Sequence, residues 1–129
     1  MALAPQPFSF VGSLQLSADP TLPPDPIPFN FSGQFTALQA STFEFTGSGS
    51  EAVPFGTIPS VGAKGLLISY PVGQSGAASI EVTINGSADP IEVTPGGMLL
   101  FFSPAPATGI VSCSIAYTAT CQVRVWILG

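Results

Sequence analysis

The sequence predicts an all-β fold: an antiparallel β-sandwich, jelly-roll-like, of about eight to ten short strands with negligible helix. Three observations carry that expectation. Apolar residues recur at every second position through most of the 129-residue chain, the spacing that turns one face of a strand to a core. No stretch repeats its apolar residues at the 3.6-residue period of an amphipathic helix. The 14 Gly and 14 Pro fall largely between the alternating runs, where they break ladders and supply turn geometry.

Taken in order, "FSFVGSLQL" puts Phe8, Phe10, Leu14 and Leu16 on one face, and "FNFSGQF" does the same with Phe29, Phe31 and Phe35. Between them, "ADPTLPPDPIP" (residues 18–28) holds five prolines in eleven residues. Proline fixes φ and removes a donor, so this stretch is expected to stay out of any ladder. Extended, it would span about 34 Å. It reads equally as a strap that carries Phe8–Ser17 to a neighbouring subunit and as a crossover loop between sheets. Residues 1–28 are therefore assigned to an N-terminal strand plus a proline-rich strap or arm, and 29–129 to the β-sandwich, in a single domain overall. "STFEFTG" offers Phe43 and Phe45, with Glu44 turned away. "IEVTI" presents Ile80, Val82 and Ile84, and the following Asn85-Gly86 is a hairpin cue, here inside a longer loop. "GSGSE", "VGQSGA", "TPGG" and "SPAPATG" read as turns.

"GLLISYPV" and "MLLFF" are apolar on both faces, which predicts central strands covered from both sides. "VSCSIAY" and "CQVRVW" are expected to pair as a hairpin around Thr118-Ala119-Thr120. That register sets Tyr117 against Cys121 and Cys113 against Val125, too far apart for a disulfide. The two cysteines then read as small buried hydrophobes.

Charge is the anomaly. Two basic and seven acidic residues make up 7% of the chain, against about 25% in ordinary domains. Over a folded surface of roughly 6,400 Å², that leaves about one charge per 700 Å². An uncharged exterior of this kind invites association, so the composition points to a subunit whose faces are covered by partners. No run approaches the ~18 apolar residues of a membrane span. "MALAPQPFSF" lacks the basic start and continuous apolar core of a secretory signal. Lys64 and Arg124 do not cluster, which argues against nucleic acid and against an anionic membrane surface.

Chemistry is sparse. Without His, the serines have no evident base, and no catalytic residue is assigned. Glu81 and Glu92 across the hairpin are a conceivable glycosidase-type pair but read better as solvated strand residues. Neither zinc nor calcium spacing is present, although Asp89, Glu92 and loop carbonyls are oxygen donors. No metal or cofactor is expected. Asn30 and Asn85 sit in glycosylation-type triplets, read as coincidental without a signal.

What remains is assembly. "VRVWILG" is apolar on both faces, with Val123, Val125 and Ile127 on one and Trp126 and Leu128 on the other. Such a strand belongs in the middle of a sheet or against another subunit, and Trp with Arg is an interface pairing. Candidate assembly contacts are Phe8, Phe10, Pro23, Pro24, Arg124, Trp126 and Leu128.

"GAKGLL", "INGSADPIEVTPGGMLLFFSPAP" and "GIVSCSIAYTATCQVRVWILG" resemble a pattern in small β-rich virion proteins of tailed bacteriophages. These often end in a V-x-V-W-x-L-G strand, here Val123, Val125, Trp126, Leu128 and Gly129. The likeness covers roughly residues 56–129 and rests on turns and strands, not on a catalytic signature. It implies a non-enzymatic virion protein made in the host cytoplasm, most simply a capsid decoration (cement) protein. Its expected partners are the major capsid protein or other virion proteins, and copies of itself, with a trimer favoured. The alternatives are a tail or fibre component, or a carbohydrate- or receptor-binding module that stacks sugar on Trp126 or Tyr117.

Overall fold

The computed structural model describes residues 4–14, 27–59, 61–72, 78–103 and 109–129. They form an all-β, antiparallel structure with no helix among them. The strands are β1 (Gln6–Leu14), β2 (Ile27–Phe35), β3 (Leu38–Phe45), β4 (Gly49–Ala52) and β5 (Gly65–Ser69). They continue as β6 (Ile80–Ile84), β7 (Ile91–Val93), β8 (Met98–Phe102), β9 (Cys113–Tyr117) and β10 (Cys121–Leu128). β1 and β2 make a two-stranded ribbon of their own. The other eight form two sheets, ordered β3-β10-β5-β8 and β4-β9-β6-β7. Counting β3 as the first strand, these orders read 1-8-3-6 and 2-7-4-5. The chain changes sheet at every connection of this body except β6 to β7.

Alternation within the strands builds one core that both sheets share. β10 turns Cys121, Val123, Val125 and Ile127 inward, beside Leu66 and Ile68 of β5. Ile80 and Val82 of β6, Val93 of β7 and Cys113 and Ile115 of β9 belong to the same buried cluster. Ile68, Ile80, Val82, Ile115, Val123 and Ile127 are fully enclosed. Each contributes about 1.5–3 kcal/mol relative to an exposed side chain. Phe45 closes one end of the core, its ring stacked 4.1 Å from that of Tyr117.

The turns follow from their residues. Asn85 and Gly86 have φ of 52° and 67°, and Ser87 N donates to Ile84 O at 3.1 Å. This is the primed two-residue turn that Asn-Gly favours, and it joins β6 to β7 as expected. In Thr94–Gly97, Pro95 precedes Gly96 at φ 87° and Gly97 N donates to Thr94 O at 2.8 Å, the pattern of a type II turn.

Four expectations are corrected. β9 and β10 do not pair with each other: β9 lies between β4 and β6, and β10 between β3 and β5. Residues 118–120 therefore cross from one sheet to the other. Cys113 and Cys121 are buried free thiols in different sheets. "GSGSE" is only partly a turn, because Gly49–Ala52 pairs with β9 as β4. "MLLFF" forms an edge strand, not a central one; its outward row meets the ribbon instead of another layer of body. Of the proline-rich segment, residues 18–26 lie outside the described residues. Ile27 and Pro28 do join a ladder, opposite Leu14 and Ser13. Proline is tolerated there because both strands of a two-stranded ribbon are edges. The boundary drawn at residue 28 thus falls inside β2, whereas "VRVWILG" forms the inner strand its two apolar faces call for.

Candidate assembly surface

In an antiparallel pair, directly opposed residues share a face. β1 and β2 pair without a break from Gln6↔Phe35 to Leu14↔Ile27, so Phe8, Phe10, Phe29, Phe31 and Phe35 all lie on one side. Pro7, Ser9, Val11, Ser13, Pro28, Asn30, Ser32 and Gln34 form the other side. None of the eighteen residues of the ribbon is charged. Its glycines make room for the rings. A Cβ on Gly12 would meet Phe29 Cζ at 2.7 Å, and one on Gly33 would meet Phe8 Cε1 at 3.3 Å. Phe10 and Phe29 stack at 5.4 Å with 14° between their planes.

The ribbon faces the outer side of the β3-β10-β5-β8 sheet, and the registers define that surface. Leu128 lies between Leu38 and Gly65, Trp126 between Ala40 and Leu67, and Arg124 between Thr42 and Ser69. Phe102, Leu100 and Met98 continue the rows on β8. The ring of Phe102 meets Phe8 edge-on at 4.8 Å and Phe31 at 5.8 Å. Lys64 Nζ donates to Gln34 O at 3.3 Å. At the base of the ribbon, Gly129 O accepts from Thr36 N at 2.7 Å and Ala37 N at 3.2 Å, and Gly129 N donates to Ala37 O at 2.9 Å. These contacts hold one end of the ribbon while Leu14 and Ile27 stay exposed at the other.

Between ribbon and sheet lies a groove of about 270 Å³, lined by Phe8, Phe10, Phe31, Leu38, Leu67, Leu100, Phe102, Trp126 and Leu128. The Ser9 hydroxyl and the Trp126 indole N–H are the polar side-chain groups of its lining. A groove of this composition takes apolar groups and offers almost nothing to a polar ligand. Four candidates from the sequence, Phe8, Phe10, Trp126 and Leu128, meet here although they come from opposite ends of the chain. Arg124 is exposed two residues along β10 from Trp126, on the same sheet face but outside the groove lining. Pro23 and Pro24 lie outside the described residues. Phe31, Leu38, Leu67, Leu100 and Phe102 were missed. The outward row of "MLLFF" was a signal for two of them, but only the register shows what that row faces.

The other candidates are placed elsewhere. Glu81 and Glu92 stand directly opposite each other, exposed, beside a depression completed by Ala78, Ser79, Ala116 and Thr118. Apart from these two carboxylates, its lining holds only Ser79 and Thr118 as polar side chains. One face of the Tyr117 ring is taken by Phe45, which leaves it poorly placed to stack a sugar. Among the described residues, no group of three or more His, Cys, Asp or Glu is arranged to hold a metal ion. The titratable groups with displaced pKa values belong to the core. Burial pushes the Cys113 thiol up to about 11. Burial first, and the Cys121 thiol beside it second, push Tyr70 up to about 12. Tyr70 also donates from its hydroxyl to Ala78 O at 2.6 Å. A thiol held neutral as Cys113 is makes a poor nucleophile.

Comparison with known protein families, with curated proteins and with solved structures finds no match for this chain.

Proposed function

We propose that this chain is a non-enzymatic structural subunit of a tailed-bacteriophage particle. In this reading it is a capsid decoration protein that stabilises the head through contacts with the major capsid protein and with its own copies, a trimer being favoured. The observation that carries the reading is the uncharged phenylalanine ribbon lying over an apolar outer sheet face, with an open groove between them. A two-stranded ribbon is marginal in water by itself, and its apolar side gains from a protein surface that covers it. The strand orders 1-8-3-6 and 2-7-4-5 also match the jelly roll, an architecture used by capsid proteins. The shortage of charge suits surfaces buried by symmetric assembly. A glycan-binding role fits the groove less well, since sugar hydroxyls would find few partners there.

Quantitative mass spectrometry of purified particles tests the proposal. A copy number comparable with that of the major capsid protein is expected for a head decoration protein. A few copies per particle would move the assignment to tail or fibre, and absence from particles would refute it. Contacts of this apolar kind should persist as salt is raised, because screening acts on charges. Release in moderate salt would count against the groove as the contact. Phe10→Ser and Trp126→Glu should weaken attachment while leaving the core side chains in place.

A further inference from the structure

Away from the groove, the turn between β6 and β7 carries the dipeptide Asn85-Gly86, and Asn85 does more than turn the chain. Its Oδ1 accepts from Val111 N at 2.8 Å and from Ser112 N at 3.2 Å. Its Nδ2 donates to Gly109 O at 3.3 Å, and its main-chain N donates to Ser112 O at 2.9 Å. One exposed residue therefore fastens the segment that leads into β9 to the β6–β7 hairpin. Gly86 beside it is exposed, with open space where a side chain would be. Nothing on Gly86 shields its amide nitrogen from the Asn85 carboxamide.

We propose that Asn85 is a site of spontaneous covalent modification, at which deamidation unfastens residues 109–112 from the hairpin. The Gly86 nitrogen attacks Asn85 Cγ; an N–Cγ bond forms, the Cγ–Nδ2 bond breaks, and ammonia leaves with the Gly86 amide proton. Water then opens the cyclic imide at one carbonyl or the other, giving aspartate or isoaspartate, with no change of oxidation state. At aspartate, the donor that faced Gly109 O becomes an acceptor, so two oxygens confront each other. At isoaspartate, Cγ enters the main chain. Its oxygen becomes a peptide carbonyl, and the added methylene breaks the two-residue turn. Because Oδ1 and Nδ2 are held in the fold, the latch must open before attack, and conversion is slower than in the unfolded chain. This inference does not depend on what the protein assembles with.

The sequence supplies an internal control, since its one other asparagine, Asn30, precedes the bulky Phe31 and lies in the β1–β2 ladder. Full-length protein is aged in mildly alkaline buffer and mapped by peptide mass spectrometry with isoaspartate detection. An unfolded sample in denaturant runs in parallel. The expected result is conversion at residue 85 ahead of residue 30, with amide exchange at Val111 and Ser112 in the isoaspartate fraction faster by roughly tenfold, the scale of one lost hydrogen-bonding partner. An Asn85→Ala chain, which removes Oδ1 and Nδ2 together, should show faster exchange at the same two amides without ageing. If Asn85 keeps its amide in the folded chain while the unfolded chain converts fully, the proposal fails. Conversion with unchanged exchange at both amides overturns it as well.

Discussion

Gly62→Ala is expected to cost about 2–5 kcal/mol. The estimate follows from where two segments cross. Ala63 and Ile110 pair as an isolated bridge, Ala63 N donating to Ile110 O at 2.7 Å, and Gly109 N donates to Val61 O at 2.9 Å. A Cβ on Gly62 would fall 2.6 Å from Gly109 C and 2.7 Å from Gly109 Cα, both main-chain atoms that no rotamer change can move. Gly62 also sits at φ 99°. The left-handed backbone contributes about 1–2 kcal/mol and the forced separation of the two segments about 1–3 kcal/mol. Against a total stability of roughly 5–15 kcal/mol, the midpoint of thermal unfolding should fall by about 8–20 °C, at roughly 4 °C per kcal/mol. Gly109→Ala meets Ala63 O at 2.6 Å without the left-handed term and should cost less. The double variant should cost less than the sum, because the segments need to separate only once. Urea and thermal unfolding followed by circular dichroism measure all three. An unshifted transition for Gly62→Ala, or strict additivity of the pair, would refute the close crossing.

The remaining predictions address the core and the ribbon. Cys113 is held neutral by burial, with its pKa raised from 9.0 to about 11. The folded state then keeps a proton that the unfolded state loses. The resulting stability, about 3 kcal/mol, is complete below pH 9 and disappears as the pH climbs through about 11; Cys113→Ala should flatten that decline in urea titrations across the same range. Tyr70 acts in the same direction nearer pH 12, so Tyr70→Phe should lessen the further loss there, while costing about 1 kcal/mol at neutral pH for the hydrogen bond to Ala78 O. Phe102→Ala removes the ring that Phe8 and Phe31 rest on. It should speed amide exchange across β1 and β2 more than across β9, and an equal effect on both would mean that the ribbon is not a separate unit. Ile115→Ala, in the sealed core, should lower stability by about 2–5 kcal/mol in the same urea assay.

Strand identity was legible wherever one face is buried and the other wet, as in "IEVTI", whose exposed Glu81 and half-buried Thr83 mark the outer side. Turn chemistry was legible at Asn85-Gly86, since few residues accept that backbone. What a strand pairs with was not. "VRVWILG" and "MLLFF" both read as two-faced, yet one lies inside its sheet and the other at the edge, because an outward apolar row is satisfied equally by another strand layer or by the phenyl face of the ribbon. The short link at residues 118–120 suits a hairpin by length alone, and the change of sheet is set by which partners β9 and β10 already have. The groove was half visible. Phe8 and Phe10 stood out because the proline-rich segment after them could carry them to a neighbour, and Trp126 and Leu128 by being apolar where a wet face was expected, whereas Leu38, Leu67 and Phe31 differ from core residues only in the direction they point.

The position of β10 between β3 and β5 has a consequence for how the molecule comes into being. During translation, β3, β5 and β8 leave the ribosome before the strand that joins β3 to β5 has been made. Hydrophobic edges from one sheet must wait until β10 has been made, and pairings between strands so far apart in sequence close slowly. A nascent copy is therefore most in need of chaperone protection after β8 has emerged and before β10 has joined the sheet.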